Sequence, residues 1–251
     1  MENEKRYQEF YLLPSLITMT NIFFGYLSIF ATHHEKYLLA AFFIISAAVM
    51  DALDGFTARL TKTQSNFGVQ LDSLADVVSF GLAPSFLLYS WGFRLTCPSG
   101  AAVFFSFIFL IAGILRLARY NILQKSNKGD RKFYTGLTIP SASLLFAAIV
   151  LCHPQPVGVR LYAFSLALLA VILSLCMIST IKYRNYLNFN FRQRIDLRTA
   201  LFLAVIFSSL VIFPRIFLLF YISLNVLSGP AIYAFNFLNK GLQKKISRKR
   251  A

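Results

Sequence analysis

Apolar residues run almost without interruption through eight stretches of this chain, and short polar or basic segments separate them. The stretches extend approximately from Leu12 to Ala31, Tyr37 to Leu60, Val69 to Trp91, Ala101 to Leu123, Ile139 to Cys152, Val159 to Ile181, Leu197 to Phe213 and Ile216 to Leu238. Several reach the ~20 residues with which a helix crosses the hydrocarbon core of a bilayer, and the fifth is the shortest. The pattern predicts an all-α integral membrane protein, a polytopic helical bundle of about eight transmembrane helices. Pro214-Arg215 turns the last two stretches into a helical hairpin. The first stretch begins after Tyr11 and is followed by others, which reads as a span rather than a cleaved signal peptide.

Composition agrees with a membrane domain. The 251 residues are 57% hydrophobic and 14% charged, where a soluble domain carries roughly a quarter charged side chains. Charge placement supports the span count. With both termini in the cytoplasm, only Lys36, Arg94, Arg160 and Arg215 of the 25 Lys and Arg residues fall outside. That asymmetry is the positive-inside rule, and a wrong count scrambles it. The net charge of +15 therefore reads as a topogenic signal and an attraction to anionic headgroups, not as a nucleic-acid surface. Basic clusters lie at Arg116 to Lys132, Lys182 to Arg198 and in a tail over 240–251. The chain reads as one membrane-embedded domain, 1–251. Cys97 and Cys152 fall near the outer face, where a disulfide requires that the fold bring them together. No zinc-like spacing of Cys and His occurs.

Four carboxylates interrupt this apolar background. Asp51, Asp54, Asp72 and Asp76 are four of only ten acidic residues, and intramembrane carboxylates are costly unless cations or protons accompany them. Positions three, four and seven apart share a helix face. Asp51, Asp54, Gly55 and Ala58 then form one stripe, and Gly68, Asp72, Ala75, Asp76 and Ser79 a second on the next, antiparallel helix. Both stripes meet just inside the cytoplasmic boundary. All-oxygen ligands at this density select hard divalent cations, Mg²⁺ or Mn²⁺, and four carboxylates suit two ions bridging a phosphoryl or diphosphate group. Small residues beside them leave room for a flat or extended ligand, although the same residues also permit close helix packing. Arg59, one turn beyond, offers a fork of donors to a phosphate. In-line attack at phosphorus is the chemistry that follows, with one aspartate left to take a proton from the nucleophile. Ion translocation is the rival use of intramembrane carboxylates. It calls for a midplane site and interrupted half-helices, which the sequence lacks.

The order D-x-x-D-G-x-x-A-R, eight residues, G-x-x-x-D-x-x-x-D from Asp51 to Asp76 resembles the signature of the CDP-alcohol phosphotransferase family, with every fixed position matched. The resemblance implies a membrane enzyme of the cytoplasmic membrane that moves a phosphoalcohol group from a CDP-linked donor to an alcohol and releases CMP at the cytoplasmic face. It implies a catalytic bundle over 12–182; 197–238 is an additional hairpin outside the signature, for which capping the bundle and homodimer formation are the two expectations. By position, Asp51, Asp54, Asp72 and Asp76 correspond to the metal ligands and Asp76 to the general base. Gly55, Ala58, Arg59 and Gly68 correspond to the nucleotide and diphosphate site.

The flanking segments are most similar to the polytopic, serine-accepting members of the family, which implies CDP-diacylglycerol as donor and L-serine as acceptor. They are Phe67 to Pro84, Pro14 to Thr18 with Asn21 and Gly25, Arg116 to Asn121, and Phe133 with Gly136, Leu137 and Pro140. Thr138 and Ser15 depart from the proline and asparagine usual there. Serine carries a carboxylate, and Arg116 and Arg119, one turn apart with Asn121 close by, are the candidate acceptor-binding group. Headgroup snorkelling and helix capping are the alternatives for such arginines. Glycerol 3-phosphate, inositol phosphate and choline are the alternative acceptors.

Overall fold

A computed structural model of the protein describes residues 2–61, 66–125, 133–184, 215–230 and 232; side chains 1–14, 58–61, 66, 124–125, 133–135, 182 and 184 are outside the description. The helices are α1 (Glu2–His33), α2 (Tyr37–Thr61), α3 (Asn66–Asp76), α4 (Ala83–Leu87), α5 (Ser99–Lys125), α6 (Ile139–Cys152), α7 (Arg160–Ile178) and α8 (Arg215–Pro230). Two short strands, β1 (Phe133–Thr135) and β2 (Lys182–Arg184), pair antiparallel with Tyr134 opposite Tyr183. That ribbon is the one departure from an all-helical fold among the described residues.

Five helical segments are long and apolar enough to cross a membrane: Ser15–His33, Tyr37–Thr57, Phe67–Phe93, Ser99–Leu123 and Arg160–Ile178. Exposed Phe23, Phe30, Phe42, Phe104, Phe107 and Phe164 coat their outer faces, which suits a hydrocarbon solvent and not water. The fifth expected span, α6, is an apolar helix of 14 residues. Its length is fixed by an extended Thr138 with Pro140 in the first turn and by a non-helical His153. Most of α6 is buried against its neighbours, so it serves as an internal packing post. The sixth expected span stops at Ile178, because the chain turns extended at Ser179 and enters β2. The seventh, Leu197 to Phe213, lies outside the described residues.

The α1–α2 turn is a Schellman closure: Lys36 N–H bonds to Ala31 O at 2.9 Å and Glu35 N–H to Thr32 O at 3.0 Å. Glu35 takes the left-handed position, φ 59°, and its carboxylate pairs with Arg94 at 2.5 Å. This hairpin sets α1 antiparallel along most of α2, the largest contact in the fold.

The third expected span is one rod whose hydrogen bonding changes twice. After Asp76 the backbone widens into a π-helical segment, Val77–Leu82, and again over Leu88–Phe93. Ala83 N–H reaches Val78 O, five residues back. Pro84 has no N–H to give the carbonyl of Phe80. Ser143 of α6 supplies the replacement: its Oγ lies 3.1 Å from Phe80 O and 2.5 Å from Ile139 O, its one proton shared between them. Tight contacts lock the rod in place. A Cβ on Gly25 of α1 would lie 2.8 Å from the Cα of Ser79, so only glycine admits this approach. At the opposite end, Trp91 Nε1 donates to the carbonyls of His153 and Gln155 at 3.1 and 2.7 Å. Cys97, Cys152 and Cys176 carry free thiols.

Candidate active site

The aspartate stripes face each other as their spacing demands. α2 carries Asp51 and Asp54, α3 carries Asp72 and Asp76, and α1 lies against both helices. One carboxylate oxygen each from Asp51, Asp72 and Asp76 falls within 4.8 Å of the other two. Asp54 lies within electrostatic reach of Asp51 and Asp72, and it is 7% exposed. Thr18 of α1 donates its hydroxyl hydrogen to Oδ2 of Asp54.

These residues fit a divalent cation. Three converging carboxylates in a partly buried setting repel one another, and like charges this close are stable only with a cation or shared protons. Oδ1 of Asp76 is buried and has no hydrogen-bond partner among the described residues, which is an acceptor held ready for a partner from outside the fold. The donor set, all oxygen and anionic, matches Mg²⁺ or Mn²⁺.

Of the neighbouring small residues, Gly55 stands open. Gly55 is exposed, and a Cβ built there would meet nothing within 4 Å. Gly68 is half-buried at the start of α3. Ala58 and Arg59 lie on the last turns of α2, with their side chains outside the description.

The three candidate acceptor residues on α5 separate into distinct positions. Arg116 is 6% exposed, sits with its guanidinium carbon 5.3 Å from the centroid of the Tyr120 ring, and is within electrostatic reach of Asp76. Arg119 turns instead to the end of α7, donating to the carbonyls of Ile178, Ser179 and Met177 at 2.5, 2.9 and 3.3 Å. Those carbonyls are the acceptors that every helix C-terminus leaves open, and a cation complements that end's dipole. Gly136 completes the arrangement at φ +79°, because a Cβ there would lie 2.4 Å from Met177 O and 2.9 Å from Arg119 Nη2. Asn121 Nδ2 donates to Ser73 Oγ at 2.9 Å and so ties α5 to the helix bearing Asp72 and Asp76.

Thr18 is the site residue that sequence reasoning missed. It was read only within a matching segment, because a lone threonine on an apolar helix gives no sign of a partner 36 residues away. A small polar side chain facing a buried aspartate across a helical hairpin is the signal that finds it.

Comparison with known proteins agrees with this geometry. The profile of the CDP-alcohol phosphatidyltransferase family matches residues 11–182, which hold all four aspartates, Thr18, Arg116 and Arg119. A CDP-diacylglycerol–serine O-phosphatidyltransferase of Helicobacter pylori is 35% identical over 215 residues, 84% of this chain and 89% of the relative. One of the same name from Methanocaldococcus jannaschii is 39% identical over 177 residues, 70% and 75% of the two chains. An archaetidylserine synthase of Methanothermobacter thermautotrophicus is 36% identical over 193 residues, 73% and 74%. On the matched span, the identities and the carboxylate cluster together, the chain belongs to the CDP-alcohol phosphatidyltransferase family.

Proposed function

We propose that the protein transfers the phosphatidyl group of CDP-diacylglycerol to the hydroxyl of L-serine, giving phosphatidylserine and CMP. The observation that carries this reading is the convergence of Asp51, Asp72 and Asp76 in a chain whose relatives bear the names of serine phosphatidyltransferases. Asp51, Asp54, Asp72 and Asp76 would hold two Mg²⁺ or Mn²⁺ ions. When bound, such ions neutralise the diphosphate and the charge that builds on the leaving phosphate.

The chain's own groups do the rest. Asp76 takes the proton of the serine hydroxyl. The serine oxygen then bonds to the phosphorus attached to diacylglycerol, and the bond from that phosphorus to the bridging oxygen breaks. CMP departs with the bridging oxygen. Thr18 fixes Asp54 so that one of its oxygens is already oriented before substrate arrives, which avoids reorganisation during the reaction. The open backbone at Gly55 and the half-buried Gly68 accommodate the cytidine and diphosphate, with Ala58 and Arg59 one turn further along α2. Arg116, enclosed and close to Asp76, pairs with the carboxylate of serine. Arg119 and Asn121 hold the frame around it by capping α7 and bracing α3.

The same reading places eight spans in the cytoplasmic membrane, with both termini and the aspartates on the cytoplasmic side. The distribution of Lys and Arg supports it. The donor then enters from the inner leaflet with its acyl chains between helices. On α8, exposed Ile216, Phe220, Leu224 and Leu227 form one apolar stripe, the face offered to lipid or to a second copy of the chain.

The test is to incubate purified protein with CDP-diacylglycerol, Mn²⁺ and serine, glycerol 3-phosphate, inositol phosphate or choline, and to identify the lipid formed. Phosphatidylserine with equimolar CMP is the expected product. Turnover confined to another alcohol would replace the acceptor and keep the chemistry.

A further inference from the structure

Asn21 of α1 is fully buried, and neither its carboxamide nitrogen nor its carboxamide oxygen has a hydrogen-bond partner among the described residues. A buried amide left so is rare, because desolvation without a replacement bond is costly. The register of the helices shows what lies beside it. Ser79 Oγ donates to the Asn21 backbone carbonyl at 3.0 Å, and Gly25, one turn after Asn21, touches Ser79. α1 and the aspartate-bearing rod both lie antiparallel to α2, so they run in the same direction. One turn back from the Gly25–Ser79 contact therefore sets Asn21 level with Asp76. Asp76 Oδ1 is the other buried oxygen in this region without a partner among the described residues. Two complementary groups, an N–H donor and a carboxylate acceptor, thus share one buried helix interface.

We infer that Asn21 is a positioning residue for the reaction, holding Asp76 from the α1 side through one shared water that bridges Nδ2–H to Oδ1. The inference rests on the role proposed above for Asp76 as the proton acceptor. Fixing Oδ1 sets the rotation of the carboxylate, and with it the direction in which Asp76 meets the acceptor hydroxyl. Asn21 itself touches no substrate, being closed off on every side.

The decisive variant is Asn21→Leu, which keeps the branched heavy-atom outline and removes both polar atoms. The expected result is a fall in kcat of about 30-fold or more, the scale of a small misplacement of a reacting group. KM for CDP-diacylglycerol and Mn²⁺ affinity of the CDP-loaded protein stay within about three-fold. Asn21→Ser, which supplies a hydroxyl donor and room for a water, recovers part of the loss. A kcat within about three-fold of wild type in Asn21→Leu overturns the inference, and so does a loss carried by KM or by Mn²⁺ affinity. Should Asn21→Leu fail to fold, Asn21→Ala is judged by the same criteria. Rates are read as CMP release with whichever alcohol supports turnover, so a wrong acceptor assignment leaves this comparison intact.

Discussion

Thr18 and Asp54 stand 36 residues apart in the chain and are hydrogen-bonded across the α1–α2 interface, the threonine hydroxyl donating to Oδ2 of the carboxylate. The bond joins α1, which contributes no aspartate to the cluster, to the buried Asp54. A hydrogen bond to a charged acceptor is worth about 1.5–3 kcal/mol. Thr18→Val, equal in shape, should lower kcat by roughly ten-fold or more if that energy is expressed in the transition state. Thr18→Ser should retain most of the rate. Steady-state CMP release with the two variants checks this.

Asp76 is the residue whose loss should hurt chemistry most and binding least. Asp76→Asn keeps the volume and removes the base, so CMP release should fall by about 10²–10⁴-fold. Binding of the CDP-linked donor, followed by equilibrium titration, should change far less. A variant turning over within a few-fold of wild type would remove Asp76 from the proton-transfer role.

Arg116 and Arg119 are one turn apart and are expected to fail differently. Arg116→Leu should raise KM for serine by at least ~30-fold, the consequence of losing a partner worth about 2–5 kcal/mol to a buried carboxylate. KM for the lipid donor should be unchanged. Arg119→Leu uncaps α7 and strips a neighbour from Gly136. It should lower the melting temperature and leave KM for serine alone. Parallel serine titrations and thermal melts separate the two.

Gly25 is a packing requirement where α1 meets the Val77–Leu82 segment. Any Cβ there lies 2.8 Å from the Cα of Ser79, and backbone cannot yield as a flexible side chain does. Gly25→Val should destabilise the protein by about 1–3 kcal/mol or more, read as a lower melting temperature together with reduced turnover. Gly55→Ala, where a Cβ meets nothing, should hold or raise the melting temperature, since alanine favours the helix, and weaken donor binding.

Much of this site was legible because helical spacing translates directly into geometry. Asp51 with Asp54, and Asp72 with Asp76, lie three and four residues apart, and a short loop between their helices leaves few ways to avoid meeting. The capping role of Arg119 was not legible, since its acceptors are backbone carbonyls at residues 177–179 on a distant helix. Carbonyls carry no sequence identity. The π segments were equally silent: Pro84 forbids one α-helical bond, but whether the chain kinks, breaks or widens depends on the hydroxyl that Ser143 offers from α6. The β1–β2 ribbon escaped for a simpler reason, as three-residue strands are too short to show a period. α6 reads as a weak span in sequence because it is a short helix enclosed by longer ones.

Anomalous diffraction from crystals grown with Mn²⁺ and a CDP-linked lipid tests the central claim most directly. The expected map shows manganese peaks between the carboxylates of Asp51, Asp72 and Asp76, with the diphosphate against them. A map with the lipid's diphosphate bound elsewhere, or with no manganese among those three side chains, would contradict it.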